Sequence, residues 1–159
     1  MARRYTPAYM QLVWAVKNRQ CLIHPAWRNE VEAMIGWWLN HYKHTPIAIR
    51  CMPDHSHLLF QYHPTQSISD LCMVVKAEIT KFIKAKEFCK DMDWQDGYGL
   101  FTYQQSIVPI IKTYINNQDE HHKDDYRFRE EYRKMLEDAG QEYDEWYLFE
   151  DEQDWLEEE

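Results

Sequence analysis

Alternating apolar and polar positions predict four short strands in the first two thirds of the chain. Residues 9–16 place an apolar residue at every second position, which is typical of a strand with one buried face. The same pattern predicts strands in TPIAIRCMPD (residues 45–54), HSHLLFQYH (55–63) and LFTYQQ (100–105). The second and third strands join through the turn residues Pro53 and Asp54, which indicates a hairpin.

Apolar residues at helical spacing predict helices between and after these strands. Pro25 fits the first turn of a helix that runs to about Lys43, and a second helix spans Ile68 to about Phe88. Ser106 is the predicted cap of a third helix that runs through IIKTYINNQDEHH (residues 110–122). A last helical stripe follows residue 126 and stops at Gly140.

The order β-α-β-β-α-β followed by a helix predicts an α+β fold, the ferredoxin-like (split βαβ) sandwich. In this fold two helices cover one face of an antiparallel sheet. Ser56, Leu58 and Phe60 form the more apolar set of the third strand and should face those helices. His55 and His57 then point to the opposite face. We expect the third helix alone to cover that face.

Charge divides the chain into a mildly basic body and an acidic extension. Residues 1–122 carry 13 Lys and Arg against 11 Asp and Glu, whereas residues 123–159 carry 5 against 16, which gives the total of −9. The overall negative charge therefore does not exclude a nucleic-acid partner for the body. We expect residues 126–149 to dock on the body or on a partner subunit, and the acidic residues 150–159 to be mobile.

Other sequence features narrow the class of protein. The four cysteines lack metal-ligand spacing, which indicates reduced thiols in a cytoplasmic protein. No apolar run has the length of a membrane span, and the N-terminal segment MARRYTPAYM lacks the apolar centre of a signal peptide. No glycine-rich phosphate loop is present, so we expect no nucleotide cofactor.

Residues on two different elements could form a reactive site on the sheet face that carries the histidines. His55 and His57 could share a metal ion, or they could be ordinary polar residues on a solvated face. Tyr114 and Gln118 are four residues apart on the third helix and share one of its faces. Two imidazole nitrogens and one amide oxygen leave open positions on an ion, which favours Mg²⁺ or Mn²⁺ with a bound phosphodiester over a closed zinc site. A tyrosine beside such a phosphodiester is a candidate nucleophile.

Basic residues offer contacts to a phosphate backbone. Lys76 lies on the second helix, among other lysines, and is either a phosphate contact or a solvated surface residue. Arg3 and Arg4 could bind the DNA backbone, although chain termini often carry charge without a role.

Two motifs resemble a known family. MPDHSHLLF (residues 52–60) is similar to the His-hydrophobic-His motif of the single-tyrosine HUH transposases of bacterial insertion sequences, and IIKTYINNQDEHH is similar to their nucleophile helix. LVWAVKNRQCLI, VVKAEITKFI and WQDGYGLFTYQQS resemble the family's first strand and turn, second-helix lysine motif and last strand. FREEYRKMLEDAGQEYDEWYLFE resembles an extension in a subgroup close to the REP-associated tyrosine transposases. Ser56 departs from the motif's hydrophobic residue, and because it points away from the metal side we expect a change in packing only.

The resemblance implies a catalytic domain in residues 1–122 with a defined chemistry. It implies His55, His57 and Gln118 as metal ligands and Tyr114 as the nucleophile. The expected activity is metal-dependent cleavage and rejoining of single-stranded, usually hairpin-bearing DNA through a 5′-phosphotyrosine intermediate, with Mg²⁺ or Mn²⁺ and without ATP. We expect a homodimer, in which Tyr114 serves either its own histidines or those of the partner.

Two other functions stay open from the sequence. A ferredoxin-like module that binds single-stranded RNA or DNA would present aromatic residues on its central strands, whereas the third strand presents His55, His57 and Gln61 there. A transposase-derived protein could bind hairpins without strand transfer, although the presence of all four candidate site residues argues against decay.

Overall fold

The centre of the fold is a four-stranded antiparallel sheet. A computed structural model describes residues 3–118, 126–144 and 148. The strands lie in the order β2-β3-β1-β4, so β1 and β3 are central. Val13 of β1 is opposite His57 of β3, and Ala15 is opposite His55. In chain order, β1 to β4 are Tyr9–Ala15, Thr45–Met52, His55–Gln61 and Gly99–Tyr103.

Four α-helices lie within the described ranges and complete the predicted order of elements. They are α1 (Arg28–His41), α2 (Ile68–Ala85), α3 (Val108–Asn116) and α4 (Tyr126–Asp138). The prediction of a ferredoxin-like α+β fold is confirmed, since the chain follows β-α-β-β-α-β before α3. No helix among the described residues is both long and apolar enough to cross a membrane.

The main core lies between the sheet and the helices α1 and α2. Ser56, Leu58 and Phe60 are fully buried, and the two apolar residues among them belong to this core, as predicted from the alternation in β3. Val31, Ile35 and Leu39 of α1 contribute one side of the core, and Leu71, Val75 and Ile79 of α2 contribute another. Each helix therefore buries the apolar stripe that its spacing of three and four residues predicts.

The other sheet face is covered by two helices, and the prediction that α3 alone covers it is wrong. Val108 and Ile115 of α3 pack against Ala48 and Leu59, on the β2 side of the face. Helix α4 covers the β1 and β4 side, where Phe128 and Leu136 share a buried cluster with three residues of the sheet. Those three are Val13, Ala15 and Phe101. The physical reason is the apolar stripe of α4, which needs a buried partner in the same way as the stripes of α1 and α2.

Local signals at the helix ends account for the remaining differences from prediction. Ser106 does not cap α3, because residues 105–107 form a 3₁₀ turn and the N-cap, Ile107, has no side-chain hydrogen bond. The helix also ends earlier than predicted, since Asn117 (φ −101°, ψ 19°) interrupts it before Gln118. The predicted continuation over residues 119–122 lies outside the described residues.

The acidic extension is described only in part. Gly140 adopts φ 69° just after α4, which confirms it as the stop of that helix. Leu148 of the predicted aromatic cluster is buried with the α4 residues. Trp146, Tyr147 and Phe149, and the acidic residues 150–159, lie outside the described residues.

Candidate active site

His55 and His57 lie side by side on the face beneath α3 and α4. Asp54 closes the hairpin turn, and β3 begins directly at His55, so the two imidazoles point to one face and Ser56 to the other. Their ring centroids are 5.1 Å apart. Both side chains are buried, at 1% and 0% exposure, so the solvated alternative does not hold for this pair.

His57 is oriented by a neutral amide from the neighbouring strand. Its Nδ1 lies 2.7 Å from Gln11 Oε1, and Gln11 Nε2 donates to the Tyr103 hydroxyl at 2.7 Å. An amide oxygen only accepts hydrogen bonds, so the His57 proton is on Nδ1 and the lone pair is on Nε2. His57 Nε2 is buried and makes no hydrogen bond of good geometry with a described residue. This nitrogen is therefore available to a metal ion.

His55 is oriented by a carboxylate that is itself held by an arginine. Asp54 Oδ1 lies 2.7 Å from His55 Nδ1, and Asp54 Oδ2 accepts from Arg19 Nε and Nη2 at 3.3 and 3.2 Å. Burial alone would raise the pKa of Asp54, but the hydrogen bond and charge of His55, with Arg19, bring the pKa below its ordinary value. Asn18 and Arg19 adopt left-handed φ angles of 56° and 52°, a strained turn that delivers the guanidinium to Asp54.

Tyr114 reaches the site from α3 with its hydroxyl already engaged. The hydroxyl donates to Glu131 Oε2 of α4 at 2.5 Å. Burial raises the pKa of Tyr114 above its ordinary value, the hydrogen bond and charge of Glu131 raise it further, and the Gln118 amide acts in the opposite direction. A tyrosine in this state is protonated at neutral pH, so nucleophilic attack needs a change in its surroundings.

Gln118 lies beyond the interruption at Asn117 and is completely buried. Its carboxamide is close enough to Tyr114 to lower the pKa of that hydroxyl. Neither its nitrogen nor its oxygen makes a hydrogen bond of good geometry with a described residue. Leaving a buried amide in this state is costly, and a ligand that binds the amide oxygen would remove part of that cost.

Glu131 is the site residue that the sequence interpretation missed. Its Oε1 is 3.2 Å from His57 Nε2, without the approach angle of a hydrogen bond, and its side chain is only 8% exposed. The ligand atoms of His55, His57 and Glu131 all lie within 4.8 Å of one another. One signal was present in the sequence, since Glu131 stands three residues after Phe128 and so belongs to the apolar stripe of α4.

The donor set fits a divalent ion. Ligand atoms of two buried imidazoles and one carboxylate lie within 4.8 Å of one another, and the Gln118 carboxamide lies close to Tyr114, whose hydroxyl donates to that carboxylate. Oxygen donors suit Mg²⁺ and Mn²⁺, whereas imidazoles are accepted more readily by Mn²⁺ and later transition metals. His55, His57 and Glu131 are therefore the described residues best able to hold an ion.

None of the three predicted DNA contacts belongs to this cluster. The Lys76 amine donates to the carbonyl oxygens of Gln95 and Gly97 at 3.0 and 2.6 Å, so it stabilises the loop before β4. Burial lowers the pKa of Lys76. Arg3 and Arg4 are exposed near the start of the described chain. A role of these three residues in DNA binding stays a prediction.

The chain matches one family model and is similar to solved structures of two other proteins. A family model described as "Transposase IS200 like" matches residues 4–118, which include every predicted site residue except Arg3. A candidate transposase from Deinococcus radiodurans is 21% identical, with a TM-score of 0.58 over 74% of this chain and 96% of that one. The REP-associated tyrosine transposase bound to a REP hairpin is 15% identical, with a TM-score of 0.59 over 77% of this chain and 74% of that one. No match to a curated protein was found.

Proposed function

Because the chain belongs to the family of IS200-like transposases, we propose that it cleaves and rejoins single-stranded DNA with Tyr114 as the nucleophile. One observation carries the proposal. Tyr114, from α3, is linked through Glu131 to His57 of β3, which brings a hydroxyl nucleophile beside a pair of buried imidazoles. This linkage runs within a single chain, so we infer that Tyr114 serves its own histidines.

The reaction is a transesterification at phosphorus. The Tyr114 oxygen attacks a DNA phosphodiester, the bond from phosphorus to the 3′ oxygen breaks, and a 5′-phosphotyrosine and a free 3′-OH result. Attack of a 3′-OH on the phosphotyrosine then releases Tyr114 and reseals the strand. The covalent link conserves the energy of the broken bond, so the reaction needs no nucleotide cofactor.

Chain residues hold the ion and orient the reacting groups. His55 and His57 would bind Mg²⁺ or Mn²⁺ through Nε2, with the Gln118 oxygen as a further ligand; the bound ion would neutralise charge that develops on the phosphate. Gln11 and Asp54 fix the two imidazole rings by hydrogen bonds to Nδ1. Cleavage should therefore require a divalent ion and stop in excess chelator, and full activity in chelator would contradict the ion requirement.

We propose single-stranded DNA with a hairpin as the substrate. The structural neighbour described as bound to a REP hairpin supports this class of DNA, as does the net charge of +2 over residues 1–122. Arg50 of β2 is paired with His57 of β3 in the sheet, so it stands next to the candidate site. It is a candidate phosphate contact in addition to Arg3, Arg4 and Lys76. We also expect a homodimer in solution, which light scattering during gel filtration can measure.

The test is covalent capture of the DNA. The protein is mixed with Mn²⁺ and hairpin oligonucleotides. The label is placed on the 3′ side of the cleavage site, in the part of the DNA that stays linked to Tyr114 through its 5′-phosphate. Adducts are then separated on a denaturing gel. Tyr114→Phe should abolish the adduct and leave hairpin binding nearly intact, because only the nucleophilic oxygen is lost. The matched control is Tyr42→Phe, which removes a hydroxyl from the end of α1, on the opposite side of the sheet. Undiminished cleavage by Tyr114→Phe would refute Tyr114 as the nucleophile.

Burial of the site residues separates this proposal from the RNA-binding alternative. A module that reads single strands on its open sheet needs exposed rings on the central strands. Here His55, His57 and Leu59 of β3 are buried beneath helices, which favours an enclosed reaction site. Tight hairpin binding without any wild-type adduct would favour instead a hairpin-binding protein that has lost strand transfer.

A further inference from the structure

We propose that Glu131 is a ligand of the catalytic ion and, through its second oxygen, the positioning residue of the Tyr114 hydroxyl. This inference rests on the proposed function and extends it to the acidic extension. Helix α4 begins beyond the residues that match the family model, 4–118, so the chain would supply this ligand from outside that region.

The two oxygens of the Glu131 carboxylate have different neighbours. Oε1 lies 3.2 Å from His57 Nε2, and Oε2 accepts the Tyr114 hydroxyl at 2.5 Å. Neighbouring ligands of an octahedral ion with bonds of about 2.1 Å are about 3.0 Å apart. The spacing between Oε1 and Nε2 is thus close to that of adjacent ligands on one ion. If Oε1 binds the ion, the hydrogen bond at Oε2 holds the Tyr114 hydroxyl next to it, because both oxygens belong to the same carboxylate.

Packing of α4 holds Glu131 at this position. Three residues earlier, the Phe128 ring stacks on His55 with centroids 3.5 Å apart and planes at 6°. One residue later, the Tyr132 ring lies over Gly99 of β4, where a side-chain Cβ would meet its hydroxyl. These two contacts fix the helix turn that carries Glu131 against the sheet. The ligand atoms of His55, His57 and Glu131 lie within 4.8 Å of one another, so an ion at their meeting point would be within reach of all three.

The same contacts allow an opposite function, in which α4 is a plug. In that case Phe128 and Glu131 would keep DNA from the histidines and hold Tyr114 inactive, and removal of Glu131 would raise activity. The ligand proposal requires the reverse, since loss of Glu131 removes a donor from the ion. Measurements of ion affinity and of adduct formation therefore separate the two.

The experiment uses the full chain with three substitutions. Glu131→Gln keeps the size of the side chain and removes its charge, Glu130→Gln is the matched control at the exposed neighbouring position, and Tyr114→Phe removes the hydroxyl alone. Mn²⁺ affinity is measured without DNA by electron paramagnetic resonance. Glu131→Gln should weaken Mn²⁺ binding by about 10- to 100-fold, as expected for loss of a contributing ligand, while the other two variants bind Mn²⁺ as the wild type does.

Two further measurements keep the proposal open to refutation. Mn²⁺ should raise the melting temperature of the wild type and of Glu130→Gln by more than that of Glu131→Gln. The increase in melting temperature measures binding of Mn²⁺ to the folded protein. In the hairpin assay Glu131→Gln should form less adduct, and Glu131→Asp, which retains a carboxylate, should recover part of it.

Wild-type Mn²⁺ affinity in Glu131→Gln would overturn the proposal, and increased adduct formation by that variant would show a plug. A Mn²⁺ site that depends on Glu131 in a protein that never forms an adduct would instead overturn the proposed function alone.

Discussion

A single methyl group added at Gly99 should loosen α4 from the sheet. Gly99 begins β4, and a Cβ built there would lie 2.5 Å from the Tyr132 hydroxyl oxygen, 2.8 Å from Tyr132 Cε2 and 2.9 Å from Phe101 Cε2. All three distances are shorter than real Cβ contacts allow, so at least one ring has to move. We expect Tyr132 to move, because it belongs to α4, which packs on the sheet through one face only, whereas Phe101 is part of β4 itself.

The magnitude follows from the cost of overpacking. Inserting one methyl group into a well-packed contact costs about 1–3 kcal/mol, and with a urea m-value of about 2 kcal/mol/M the midpoint should fall by about 0.5–1.5 M. Urea unfolding followed by circular dichroism measures this shift. Hydrogen exchange should locate it, since amides of α4 should lose more protection than amides of α2, which packs on the other face of the sheet.

Two controls decide whether the overlap is the cause. Gly36→Ala, in the middle of α1, places a Cβ at an ordinary 3.5 Å from Ile49 Cδ1 and should stabilise the protein by about 0.5–1 kcal/mol. In a Tyr132→Ala background Gly99→Ala should cost at least about 1 kcal/mol less than in the wild type. An equal cost in both backgrounds, or no destabilisation by Gly99→Ala, would refute the contact between α4 and Gly99.

Further predictions concern the support of the histidines and the acidic end. Asp54→Asn should weaken Mn²⁺ binding about 10- to 100-fold in a titration, because a neutral amide oxygen accepts the His55 hydrogen bond more weakly than the carboxylate does. Because the folded pKa of Asp54 is lowered, its contribution to stability is present above about pH 4 and lost as the pH falls through the folded pKa, so the stabilities of wild type and Asp54→Asn should converge in acid. Deleting residues 150–159 should tighten non-specific single-strand binding at low salt, since residues 123–159 carry a net charge of −11; equal affinities would refute this.

The sheet face of each histidine could be predicted from the sequence because a strand has a fixed period of two. Leu58 and Phe60 had to face the helices, so His55 and His57 had to face the other way, and the structure agrees. Tyr114 could be placed near them because only the opposite face was free for α3. Local periodicity and chain topology were sufficient for these residues.

The residues that orient the histidines could not be predicted, because their roles depend on pairing between distant strands. Gln11 stands 46 positions from His57, and only the register of β1 against β3 brings the two together. Arg19 reaches Asp54 because two residues of its turn adopt left-handed φ angles. Neither residue is a glycine, so the sequence gives no indication of this backbone conformation. Glu131 could not be identified as a candidate ligand from the sequence, because it is one of 16 acidic residues after residue 122.

The charge of the candidate site depends on whether Glu131, from the acidic extension, is a ligand of the ion. His55, His57 and Gln118 are neutral donors when they bind an ion, so an ion held by these three alone keeps its full charge until DNA phosphate arrives. Glu131 adds one negative charge at 8% exposure, where screening by solvent is weak. With Glu131 as a ligand the ion should bind before DNA, whereas in Glu131→Gln ion binding should depend on the hairpin. We therefore expect the acidic surface of the extension to weaken non-specific contacts with DNA, and the buried carboxylate of α4 to bind the ion that the specific contact needs.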